Sequence, residues 1–140
     1  MSLTSEKILK GLLWWQVIFH AALGLLGIFA KQTAVFLAAK FFNFNLDLTP
    51  QMYWVINPFA AYVLAFGGFM AIAATDPKRY KSVIYIGAGI LAVRVLQRIT
   101  FLITATDDLI ADASRSAIVS IIVVVSVFAL ALVLLTRRLE

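Results

Sequence analysis

Arg94 and Arg98 stand one helical turn apart in the middle of an apolar run, Val83–Ala105, with Gln97 beside them. Arg94 is the twelfth of those 23 residues, so a helix crossing a bilayer carries its guanidinium near the centre. The i, i+4 spacing puts both arginines on one face, about 6 Å apart along the axis. A guanidinium at that depth costs roughly 2.5–3.5 kcal/mol on insertion scales, so it must face protein, water or a bound anion. What arginine supplies there is a fixed positive charge and a planar fork of donors. That chemistry suits a phosphate, a carboxylate or a polarised carbonyl.

Few other polar groups interrupt the apolar runs, and they lie at depths that can meet the arginines. With the N-terminus on the cytoplasmic side, Gln16 and His20 fall at or below mid-depth and Tyr62 close to the middle. Asn57 falls above it. Arg94, Arg98, Gln97, His20, Asn57, Tyr62 and Gln16 are therefore expected to converge on one polar pocket. The four runs contain no Asp or Glu, which leaves the arginines without an evident counter-ion. Asp107 and Asp108 lie about 14 Å further along the helix from Arg98, and side chains lean the other way, toward the helix N-terminus. Asp47 is the nearer partner if the 32–49 segment dips inward.

Three functions fit such a pocket. The arginines can bond to backbone carbonyls, Asn57 and Gln97 and merely brace a structural or accessory membrane subunit. They can hold the head of an anionic or carbonyl-bearing amphiphile, a lipid or a quinone-like molecule. Or they can line a path for an anion or small solute across a dimer. Enzyme chemistry has little support. His20 is the only histidine, so one chain cannot supply bis-histidine haem ligation, and a lone histidine on a small-residue face is usually a packed, hydrogen-bonded group. No HExxH, GxSxG, phosphate-binding glycine loop or paired carboxylates are present. No catalytic residue, metal ligand or resident cofactor is expected, a quinone-like ligand apart.

The elements that position these residues follow from composition. Of the 140 residues 63% are hydrophobic and 14% charged, far from soluble usage. Four runs absorb nearly all of the apolar content: 8–30, 50–74, 83–105 and 116–136. Each has the roughly 20 residues a helix needs to cross a bilayer, and in lipid a helix satisfies its own backbone. Residues 1–140 thus read as one all-α domain, a four-transmembrane-helix bundle. The first run exceeds a signal-peptide h-region and lacks a clear A-x-A site, so it is expected to be retained. The absence of cysteine excludes disulfides and thiolate metal sites.

A net charge of +5 does not imply nucleic acid here, because the basic residues sit at helix ends. Lys7, Lys10, Lys78, Arg79, Lys81, Arg137 and Arg138 fall on one side. Lys31, Lys40 and Arg115 fall on the other, among Asp47, Asp107, Asp108 and Asp112. Both termini are therefore expected in the cytoplasm, with the protein in a bacterial inner membrane. Membrane lipids are the expected partners, with a homo-oligomer or larger membrane complex possible.

Packing expectations come from small residues. Gln16, His20, Gly24, Gly27 and Lys31 share one face of the first helix, which should point inward. Ala61, Gly68 and Ala71, in register with Asn57, offer a small face on the second helix for it to pack against. Pro58 should kink that helix, and Thr49-Pro50 should start it. The connection 32–49, with Val35, Phe36, Leu37, Phe41, Phe42 and Phe44, either folds over the outer end as an interfacial helix or simply prolongs the first helix. The last helix, uncharged and rich in Val and Ile, reads as a lipid-facing wall.

Thr49-Pro50 at a helix start, and Ala74-Thr75-Asp76-Pro77-Lys78-Arg79-Tyr80 after a glycine-containing helix, resemble the small four-helix bacterial membrane proteins of the DoxX-like group. The resemblance covers the general layout and these two turn motifs. It implies the same four-helix fold, and links of some members to quinol oxidation would suit a quinone-type ligand. It transfers no catalytic residue and does not account for Arg94 or Arg98.

Overall fold

A computed structural model describes residues 3–42, 49–104 and 112–139. They form five helices: α1 (Leu3–Phe29), α2 (Lys31–Phe42), α3 (Pro50–Thr75), α4 (Lys81–Thr104) and α5 (Asp112–Arg137). Four of them, α1, α3, α4 and α5, are long and apolar enough to cross a membrane. The fold is an all-α, four-helix membrane bundle with no strand among the described residues.

Local chemistry sets the helix ends. Thr49 is extended and its hydroxyl accepts from the Met52 amide at 3.3 Å, while Pro50 occupies the first turn, where its missing N–H costs nothing. Pro58 removes one donor from inside α3 without ending the helix. Asp76 closes α3 and turns the chain, its carboxylate accepting from the Arg79 amide at 3.2 Å. Between α1 and α2 only Ala30 is non-helical. Lys31 donates to the Ile28 carbonyl at 3.2 Å and stands over the Tyr53 ring, 5.9 Å from its centroid. Beyond α1, α2 also touches α5. Contact with α5 favours the reading in which this segment folds over the bundle. Phe44 and Asp47 lie outside the described residues, as do Asp107 and Asp108.

The bundle is two close pairs. α1 packs along α3 and α4 along α5, whereas the consecutive helices α3 and α4 meet only sparsely. The core explains why. Leu9, Leu13, Phe66, Met70, Ala73, Ala74, Ile84, Ala88, Leu91, Leu132 and Leu139 form one buried cluster. These are the early residues of α1 and α4, the late ones of α3 and α5, and Leu139 just past α5, so the four long helices close on one another at the end holding both termini and the α3–α4 turn. Glu6 reinforces that end, bridging Lys10 and Lys78 at 3.2 Å each. Above the core α3 and α4 part.

The α1 face is as expected. Gln16, His20, Gly24 and Gly27 are buried, and Lys31 half-buried. Its partner face on α3 is not the expected one. Gly24 and Gly27 lie against Ala60 and Leu64, and Gly67 sits beside the His20 Cβ. Ala61 and Gly68 are exposed, Ala71 is half-buried, and a Cβ at Gly68 would meet nothing within 4 Å. Ala60/Gly67 and Ala61/Gly68 are both i, i+7 pairs, about 100° apart around the helix. Their spacing is identical, and only the partner helix selects between them. The last helix is likewise more than a lipid-facing wall. Val119, Val123, Val124 and Val127 are exposed, but Ile118, Leu132 and Thr136 are buried.

Candidate functional site

His20 is the hinge of the site. Its ring is buried between Phe19, edge-on at 5.4 Å, and Phe66, tilted at 4.6 Å between centroids. Its Nδ1 lies 2.8 Å from the Gln16 carbonyl oxygen, one turn earlier on α1. Its Nε2 lies 3.2 Å from Nη1 of Arg94 on α4. A carbonyl only accepts and a guanidinium only donates. Nδ1 must therefore carry the hydrogen and Nε2 must offer its lone pair, which makes His20 a neutral acceptor for Arg94.

Arg94 is held on three sides. Besides His20, its guanidinium carbon stands 5.5 Å from the Tyr62 centroid and 5.6 Å from that of Phe66, both rings on α3. These contacts orient the fork but leave it incompletely bonded. Nη2 is buried and has no hydrogen-bond partner, and the same holds for Oε1 of the buried Gln16. No carboxylate pairs with Arg94 among the described residues.

The gap between α3 and α4 opens directly beside this group. It is a cleft of about 580 Å³ lined by Phe59 and Tyr62 from α3 and by Ile86, Gly89, Ile90, Val93, Arg94 and Gln97 from α4. Its walls are mainly apolar, with Arg94, Gln97 and Tyr62 as the polar residues of the lining. Gly89 keeps the cleft open, since a Cβ there would touch nothing within 4 Å. Gly87 does the opposite job one face away, where its hydrogen lets the Met70 methyl approach and close the core beneath.

The expected set is thus partly assembled. Arg94, His20 and Tyr62 come together, Gln97 lines the cleft, and Gln16 joins through its backbone carbonyl. Arg98 does not join them. It turns back along its own helix and donates to the Arg94 carbonyl at 3.4 Å, as the lean of helical side chains toward the N-terminus dictates. Asn57 is also elsewhere. It is exposed and, five residues before Tyr62, lies about 140° around α3 from the cleft.

Phe66 is the residue that sequence reasoning missed. It touches both His20 and Arg94, and its signal was its position one turn after Tyr62 on the same face. Family models, curated proteins and solved structures were all compared with the chain, and none matches it.

Proposed function

We propose that this protein binds the head of an anionic or carbonyl-bearing amphiphile, a lipid or a quinone-like molecule, in the cleft between α3 and α4. The observation that carries this reading is the buried, unpartnered Nη2 of Arg94 beside an apolar-walled cleft. A buried charged donor without an acceptor costs more than a neutral one, and a phosphate, carboxylate or carbonyl oxygen is the acceptor that relieves it. Phe59, Ile86, Ile90 and Val93 offer an apolar bed for a chain entering sideways from the bilayer. A path for ions across one copy has less support, because Phe66, Met70, Ala88 and Leu91 close the bundle below the site. Membership of the DoxX-like group belongs to the same proposal, and its link to quinols fits the carbonyl-bearing case.

Native mass spectrometry of the full chain taken from its membrane tests the reading. The wild type should retain an amphiphile, and Arg94→Gln should lose it. Gly89→Leu should lose it as well, because a Cβ there enters open space and the longer side chain takes up room in the cleft. Retention by Gly89→Leu equal to the wild type, or an empty wild type, would refute cleft binding.

We place the protein in a bacterial inner membrane with both termini cytoplasmic, on the strength of the basic residues at the end that holds the termini and Lys78. A cysteine at position 78 should then resist membrane-impermeant maleimide in intact cells and react after lysis. Labelling before lysis would invert the topology.

A further inference from the structure

We infer that the anionic head and a proton bind together, the head on Arg94 and the proton on Nε2 of His20. This deepens the amphiphile-binding reading and rests on it.

The argument starts from the hydrogen-bond directions. Nε2 accepts from Arg94 Nη1 at 3.2 Å, so the one position where His20 can take a proton is occupied by a cation's donor. Nδ1 cannot serve instead, because its hydrogen is committed to the Gln16 carbonyl at 2.8 Å. Protonating Nε2 therefore breaks the Arg94 bond and sets two positive charges face to face. Among the described residues no carboxylate lies against this pair to offset that repulsion. α3 presents only Tyr62 as a titratable group here, and α4 presents Arg94 with Arg98 a turn beyond. α1 has no other charged residue between Lys10 and Lys31, and α5 has none between Arg115 and Arg137.

An anion seated on Arg94 reverses each of these conditions. It supplies the missing negative charge and draws the guanidinium toward the cleft, where Nη2 already lacks a partner. Nε2 is released and gains an acceptor for the proton it takes up, the anion itself. Head and proton thus favour each other, and by linkage the coupling is reciprocal. A neutral carbonyl head brings no charge and would show no such coupling.

A probe of fixed charge separates the protein's titration from the ligand's. Octyl sulfonate stays monoanionic through the useful pH range and can be titrated into the full chain in dodecyl maltoside. Wild-type affinity should rise on acidification, by up to about tenfold per pH unit where one proton enters with the anion. Calorimetry in two buffers of different ionisation enthalpy should count up to one proton taken up per sulfonate. His20→Gln keeps a side-chain acceptor for Arg94 but cannot take a proton, so its affinity should not change with pH.

The outcomes are separable. Sulfonate binding that is lost in Arg94→Gln but is flat with pH in the wild type, with no proton taken up, overturns co-binding and leaves the amphiphile reading intact. An equal slope in His20→Gln places the proton elsewhere and also overturns it. No binding to the wild type at any pH overturns co-binding together with the anionic form of the amphiphile reading. The proton count needs only the wild type, so a His20→Gln chain that fails to fold does not remove the test.

Discussion

Gly24→Val should destabilise the bundle by about 2–3 kcal/mol, the cost of forcing a branched side chain between two packed backbones. The first added carbon alone would stand 2.8 Å from the Leu64 Cβ, 3.0 Å from the Leu64 amide nitrogen and 3.1 Å from the Ala60 carbonyl oxygen. Two of those three atoms are backbone, so no rotamer change relieves the contact and α1 must move away from α3. Gly27→Val meets the Ala60 Cβ at 2.6 Å and should behave alike. Gly68→Val is the control, because its Cβ enters open space and its effect should stay within about 0.5 kcal/mol. Steric trapping or denaturant titration in micelles, with helicity followed by circular dichroism, reads the difference. Equal losses at Gly24 and Gly68 would show that the α1–α3 seam is misplaced.

The second large effect is an asymmetry across the His20–Arg94 contact. His20→Leu removes the only side-chain acceptor that Arg94 has among the described residues and leaves the guanidinium in place, which should lower stability by about 2–3 kcal/mol. Arg94→Met removes the charge together with its need for partners and fills the space with a flexible apolar chain. Replacing a poorly satisfied buried charge in this way is commonly neutral or stabilising. The double variant should therefore recover most of what His20→Leu loses, an interaction that a double-mutant cycle measures directly.

That asymmetry separates a binding arginine from a bracing one. If Arg94 holds the bundle together, Arg94→Met should be at least as damaging as His20→Leu. If it is kept for a ligand, the protein gains or holds stability on losing it and forfeits only the retained amphiphile. A destabilised Arg94→Met with no ligand missing would favour the bracing role.

Sequence alone determined the class of fold, because membrane crossing is a matter of length and polarity summed along each run. The runs at 8–30, 50–74, 83–105 and 116–136 reappear as helices 3–29, 50–75, 81–104 and 112–137. Thr49-Pro50 and Asp76-Pro77 marked their ends by local steric and hydrogen-bonding rules that need no partner. The inward face of α1 was equally legible, since one stripe of Gln16, His20, Gly24 and Gly27 had no rival on that helix.

Tertiary structure decided what depended on a rotation or a partner. Ala60/Gly67 and Ala61/Gly68 carry the same spacing, and only contact with α1 chose the first pair. Arg94 and Arg98 were equivalent by type and face. Arg94 can reach His20 on α1, while Arg98, one turn further on, falls back onto the carbonyl of Arg94. Asn57 shared an approximate depth with the site but pointed around the helix from it, and depth is all that a position in a hydrophobic run conveys. The cleft had no sequence signature. It exists because the residues that close the core, Phe66 and Met70 among them, cluster at one end of α3 and α4, leaving the helices to part where Gly89 and Arg94 face the gap.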